Sequence, residues 1–199
     1  MSFEPVRVAS MGLGRWANVL ADAALRGGNI KLVSCFSRTA EKRASFMERY
    51  GTREAESFEA LLNDDEVEAV IVTTPNFNHM EHIEAISAAG KHVYCEKPIS
   101  LTIAEGRRMV EAVKKNKVIF QTGSQQRTEF GGKFRRTVEM IHSGAIGKIK
   151  KIQVCVGGPP KPCDLATQPI PEGIDWDAWQ GPAPTRGYNK ELCPDNVHN

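Results

Sequence analysis

Residues 93–100 read VYCEKPIS, where an apolar run, His92 to Cys95, ends in an acid, a base and a proline: Glu96, Lys97 and Pro98. In an open parallel sheet, ligands bind outside the carboxyl ends of the strands, so a strand ending here would aim this pair into a cleft. Hydride transfer to or from an alcohol needs a group that takes or gives the hydroxyl proton, and a lysine hydrogen-bonded to that oxygen can serve. Glu96 could then orient the lysine or a ribose, and Pro98 would set the exit of the chain. Taken alone, the same residues also read as an exposed ion pair.

Three further stretches bear on that choice. GLGRWA (Gly12, Leu13, Gly14, Arg15, Trp16, Ala17) has the glycine spacing of a dinucleotide-binding turn, with alanine in the third small position. There Gly12 would permit the tight turn, Gly14 would let the main chain approach a pyrophosphate, and Ala17 would keep the helix close to the sheet. Two glycines in an ordinary turn are the bland alternative. SCFSRT places Ser37 and Arg38 about where NAD-binding proteins carry an acid for the ribose 2′-hydroxyl. A hydroxyl and a guanidinium can bind a 2′-phosphate that a carboxylate would repel, which favours NADP over NAD. Ser37 and Arg38 could equally be a surface pair at a helix start. TTPNFNH brings Thr74, Pro75, Asn76 and His79 to the end of another apolar run. His79 and His82 lie one helical turn apart, but no third ligand of suitable spacing accompanies them, so no metal site is expected. His79 also reads simply as a polar residue at a helix start.

The elements that must position these residues alternate. Strands are expected at Val6 to Met11, Lys31 to Phe36, Ala69 to Thr73, His92 to Cys95 and Val118 to Thr122. Helices are expected at Arg15 to Arg26, Ala40 to Tyr50 (with Thr39 as cap), Ser57 to Leu62, His79 to Ala89, and from a Thr102–Glu105 capping box to about Asn116. That alternation predicts an α/β fold with right-handed crossovers, a doubly wound parallel sheet of Rossmann type. After Gly123 the rhythm changes to one helix, Lys133 to Ser143, and one strand, Lys148 to Val156, with KIKK (148–151) as the strand's wet face. From Gly157 onward no periodic segment is seen, and eight of the eleven prolines lie there. Such a tail is not expected to build its own core, although Trp176 and Trp179 call for burial.

Composition bounds the function. The chain has 199 residues, 41% of them hydrophobic and 25% charged, as in globular proteins with a real core. A net charge of +2 gives no case for nucleic acid or a membrane surface as partner. The five cysteines form no CxxC pair, so neither a zinc ribbon nor a disulfide framework is indicated. There is no signal-peptide pattern and no apolar run of membrane-spanning length, and a reducing cytoplasm is the expected location.

Together, GLGRWA, TTPNFNH, AAGKHVYCEKPIS and QTGSQQR resemble, in order and spacing, the glucose-fructose oxidoreductase/inositol dehydrogenase/rhizopine catabolism (Gfo/Idh/MocA) family of NAD(P)-dependent oxidoreductases. The resemblance implies a Rossmann domain over residues 1–123 and the opening of an α/β, open-sheet substrate and oligomerisation domain over 124–199. It implies that Gly12, Leu13, Gly14, Arg15 and Trp16 lie along the pyrophosphate, Ser37 and Arg38 at the adenosine ribose, and Thr74, Pro75, Asn76 and His79 near the middle of the cofactor. Glu96 would lie by the nicotinamide ribose, with Lys97 as the catalytic lysine touching cofactor and substrate. Gln126 and Arg127 would enter the cleft as substrate residues. The implied reaction is hydride transfer between NADP, or NAD as second choice, and a sugar, cyclitol or related alcohol, in a full-length form that can be a homo-oligomer. A relative using bound NAD to cleave glycosides and a non-catalytic nucleotide-binding fragment are the competing readings. One departure matters. The family's later Asp and His, four residues apart, have no counterpart here, because Asp195 and His198 are three apart and come too early.

Overall fold

The computed structural model describes residues 4–125, 130–155, 157–158, 162–181 and 183–193. It forms two compact units, Met1–Ile146 and Gly147–Asn199.

The first unit is built on strands β1 (Val6–Met11), β2 (Ile30–Phe36), β3 (Arg53–Glu54), β4 (Ala69–Val72), β5 (His92–Cys95) and β6 (Phe120–Thr122). They pair in the order β3-β2-β1-β4-β5-β6, every pairing parallel. Crossovers run through helices α1 (Arg15–Gly27), α2 (Ala40–Tyr50), α3 (Phe58–Leu62), α4 (His79–Ala88) and α5 (Ile103–Asn116). This is the Rossmann-type sheet expected from the alternation, and the expected strands and helices fall within a residue or two of these bounds. The strand order reverses between β1 and β4, so their chains leave the sheet in opposite directions and open a crevice at their carboxyl ends.

Period-2 alternation divides the core. Ala9, Met11, Val70, Val72, Val93 and Cys95 pack on one face against Ile83 and Ile86 of α4 and Met109 of α5. Val8, Leu32, Cys35 and Ile71 face the other way, against Ala17 and Ala21 of α1 and Phe46 of α2. On that second face a groove of about 800 Å³ remains beside α1, with Trp16, Tyr94 and Glu96 among its lining. At α5 the expected capping box forms in part: Thr102 Oγ1 accepts from the Glu105 amide (3.2 Å), but Glu105 Oε2 accepts from the amide of Leu101 (2.8 Å), one residue before the cap. Thr39 occupies the cap position of α2 but makes no side-chain cap bond. Instead its own amide donates to Ser37 Oγ (3.4 Å).

Two expectations after residue 123 are corrected. Helix α6 (Lys133–His142) forms, but residues 148–155 pair with no strand among the described residues. Alternation there has no ladder to satisfy it, and a strand exists only through its partner. The stretch from Gly157 onward, expected to lack periodic structure and a core of its own, contains helix α7 (Trp176–Gln180), capped by Asp175 accepting from the Ala178 amide (2.9 Å). Trp176 is buried, stacked on Trp179 (4.6 Å between centroids) and edge-on to Tyr188 (5.2 Å). Its ring N–H donates to the Arg186 carbonyl (2.8 Å). Three aromatic rings supply the burial that periodicity did not announce.

Candidate functional site

β1 ends against β4. Gly12 has φ +86°, and a Cβ there would stand 2.6 Å from the Thr74 amide nitrogen and 2.7 Å from the Thr73 carbonyl carbon. Only glycine tolerates both the conformation and the contact. From across the crevice the Thr73 amide donates to the Met11 carbonyl (2.9 Å), and its hydroxyl donates to that of Gly12. Gly14 then caps α1 with no side-chain acceptor, and α1 has no acid in its first turn. A Cβ at Gly14 would meet nothing within 4 Å. The result is a set of helix N-terminal N–H donors facing open space, which fits an anionic group such as a pyrophosphate.

The flanking residues divide. Ala17 packs on the sheet and Leu13 is buried beside it. Arg15 is exposed and lines a cavity of about 330 Å³ with Gly14, Asn18, Glu41, Lys42 and Ser45. Trp16 lines the sheet-face groove, and its ring N–H has no partner among the described residues.

At the end of β2, Ser37 is held by its carbonyl, which accepts from Arg43 Nη1 (2.6 Å), while Arg43 Nε donates to Glu54 (2.8 Å). The nearby acid Glu54 is thus engaged by Arg43, whereas Arg38 is exposed with no carboxylate partner among the described residues. The arrangement leaves a guanidinium free to meet a phosphate.

The loop after β4 runs through Thr73, Thr74 and Pro75 into a 3₁₀ turn, Asn76–Asn78, and then α4. Thr74 is approached twice from α4: its hydroxyl lies 3.1 Å from His82 Nδ1, and its carbonyl oxygen lies 2.8 Å from His79 Nε2. Burial lowers the pKa of His82, with the nearby charges of His79 and Arg38 acting in the same direction. His79 itself is only 2% exposed, and its Nδ1 faces the Pro98 carbonyl at 3.0 Å. The structure places it inside the fold with each ring nitrogen within hydrogen-bond distance of a main-chain carbonyl, rather than lining the loop surface.

β5 delivers Glu96 and Lys97, and the structure separates them. Glu96 is 6% exposed. Its carboxylate accepts from the Lys97 amide (3.1 Å) and from the Tyr94 hydroxyl (3.3 Å), not from the lysine ammonium. Lys97 is exposed, follows Glu96 through a turn with a cis Lys97–Pro98 bond, and has no carboxylate partner among the described residues. Burial, with Glu96 beside them, pushes the Tyr94 hydroxyl and the Cys95 thiol up to about 12, so both keep their protons near neutrality. Gln126 and Arg127 lie outside the described residues.

Three members of this arrangement escaped the sequence reading. Tyr94 stands two residues before Glu96, hence on the same strand face, and that spacing could have found it. Gly123 closes over Glu96 and Arg43 props the Ser37 loop. Both act across turns or crossovers that leave no pattern in the chain.

Comparison with known proteins bears on the family and the fold. The family model GFO_IDH_MocA, "Oxidoreductase family, NAD-binding Rossmann fold", matches residues 6–124. A myo-inositol 2-dehydrogenase of Thermotoga maritima is 34% identical over 167 residues, covering 80% of this chain and 48% of that protein. A solved structure from Desulfitobacterium hafniense, provisionally described as an NADPH-dependent oxidoreductase, superposes with a TM-score of 0.68 at 43% identity, covering 74% of this chain and 42% of that one. GenD2 from gentamicin A biosynthesis, solved with NAD, superposes with a TM-score of 0.64 at 26% identity, covering 72% and 40%. The chain spans about half the length of the curated relative described here.

Proposed function

The chain belongs to the oxidoreductase family with an NAD-binding Rossmann fold, and from that premise we propose that it binds NADP in preference to NAD and serves hydride transfer to or from a secondary alcohol of a sugar, cyclitol or related polyol. The observation that carries this reading is the crevice itself. A helix N-terminus at Gly14 without a side-chain cap, and a guanidinium at Arg38 and an ammonium at Lys97 that have no carboxylate partner among the described residues, all lie at carboxyl ends of strands of one parallel sheet.

Each residue then has a role within that reading. Gly12 and Gly14 set the main chain close to the pyrophosphate, and Arg15 adds positive charge beside it. Ser37 and Arg38 take the adenosine ribose and its 2′-phosphate, and Thr74, Pro75 and Asn76 form the wall along the middle of the cofactor. The nicotinamide supplies the carbon that exchanges hydride with the substrate. Lys97 holds the substrate oxygen and moves its proton, and Glu96 fixes the Lys97 main chain from below. Residues 124–199 would open a second domain that meets the substrate, with Gln126 and Arg127 at its start. The polyol class is supported by the myo-inositol 2-dehydrogenase likeness, and the NADPH-dependent description of the Desulfitobacterium structure supports the choice of NADP.

Titration of the purified chain with NADPH and with NADH, followed by calorimetry, tests the reading. Tighter NADPH binding is expected. Tighter NADH binding would overturn the Ser37–Arg38 assignment, and no binding of either to folded protein would overturn the proposal.

A further inference from the structure

We propose that His79 is a positioning residue that ties the cofactor loop at Thr74 to the Lys97–Pro98 turn, so that the bound nucleotide and the lysine ammonium are held in one geometry. This rests on the function proposed above and assigns His79 a different part from cofactor contact.

His79 sits at the start of α4, five residues after Thr74 and 19 before Pro98. Its ring stands between their two carbonyls, Nε2 at 2.8 Å from Thr74 O and Nδ1 at 3.0 Å from Pro98 O. Cys95 Sγ lies 3.4 Å from the same Nδ1. At 2% exposure the ring has no room for a ligand. Each loop has other anchors: Thr74 through His82, and Glu96 through its amide, which donates to the Val72 carbonyl (3.0 Å). Among the described residues, however, no other hydrogen bond joins loop 74–78 to residues 97–98. A ring with one N–H serves one carbonyl at a time, and a ring protonated at both nitrogens serves both. Phenylalanine would fill the same space and serve neither, which separates a hydrogen-bonding role from packing.

The test follows Lys97 directly on the full 199-residue chain. Acetylation of Lys97 by dilute acetic anhydride, resolved by mass spectrometry, is timed with and without saturating NADPH in wild type, His79→Phe and His79→Asn. In wild type, nucleotide is expected to slow Lys97 labelling at least about fivefold. His79→Phe, saturated with nucleotide, is expected to lose that protection to within about twofold of none, and His79→Asn, which keeps one amide donor, to fall between. Equal protection in wild type and His79→Phe overturns the inference and leaves the proposed function standing. No nucleotide binding in wild type overturns both, and nucleotide binding without protection of Lys97 overturns the inference together with the lysine's place beside the nicotinamide. Should neither variant fold, the unsubstituted protein still decides. Through-hydrogen-bond NMR coupling from a His79 ring nitrogen to the Pro98 carbonyl carbon is expected, and its absence overturns the inference.

Discussion

A methyl group on Gly123 would stand 2.6 Å from Glu96 Oε1, inside any permitted contact. The first residue after β6 thus closes directly over the buried carboxylate that ends β5, while its amide donates to the Cys95 carbonyl at 2.7 Å. The same methyl would come within 2.8 Å of the Tyr94 hydroxyl, so one missing side chain accommodates both members of the Tyr94–Glu96 pair.

Gly123→Ala therefore tests the contact. Gly123 is not in the left-handed region, so the cost is steric: about 1–3 kcal/mol, as for overpacking elsewhere. Urea unfolding should show that loss. The double variant Gly123→Ala, Glu96→Ala should recover part of it, since the two sites share one space and their effects should not add. Additive losses would show that the collision is relieved by other means.

The two fingerprint glycines should fail differently. Gly12→Ala meets both a left-handed φ and the main chain of Thr73 and Thr74, and backbone strain alone costs about 1–3 kcal/mol. Its thermal midpoint should fall clearly. Gly14→Ala adds a methyl to open space, so its stability should stay within about 0.5 kcal/mol of wild type while NADPH affinity drops about tenfold or more. Unchanged affinity in Gly14→Ala would remove the pyrophosphate from that position.

Cofactor choice should respond to the end of β2. Losing a charge-assisted bond costs about 1.5–3 kcal/mol, so Arg38→Ala should raise the NADPH Kd roughly 10- to 100-fold and leave that for NADH nearly unchanged. Ser37→Asp should reverse the preference by repelling the 2′-phosphate. Parallel losses for both nucleotides would show that Arg38 does not read that group.

Tyr94 should make the protein sensitive to alkali in a defined window. Its hydroxyl is pushed up to about 12 by burial, with Glu96 adding to the effect, against about 10 in an unfolded chain. The fold favours the protonated phenol, so this contribution is complete below about pH 10 and is lost as pH climbs through 12. Absorbance titration should show a late tyrosinate among the three tyrosines that is missing in Tyr94→Phe. A Tyr94 ionising near pH 10 would mean that the hydroxyl is not buried against Glu96.

Much of this was legible in the chain. Val6–Met11, Ala40–Tyr50 and His92–Cys95 fell on their expected bounds, because apolar periodicity, caps and glycine stops are local properties that hold in most contexts. The two-residue strand β3 was too short to show a period and exists only by pairing with Ser34 and Cys35. Residues 148–155 erred in the other direction, since alternation licenses a strand but does not supply its partner.

The site divides along the same line. Order along the chain determined that Gly12–Gly14, Ser37–Arg38, Thr74–Asn76 and Glu96–Lys97 would each follow a parallel strand, and hence that they would gather at one edge of a sheet. Only the tertiary structure decided what each side chain does there. Glu96 and Lys97, adjacent in sequence, part company because the strand's alternation carries Glu96 to the Tyr94 side and beneath Gly123, while the lysine turns out to solvent. His79, a plain helix-start residue by its neighbours, becomes an internal strut because its partners are carbonyls of residues 74 and 98. Every residue carries a carbonyl, so no residue type at either position announces that bond; it arises only when folding brings two strand ends and one helix start together.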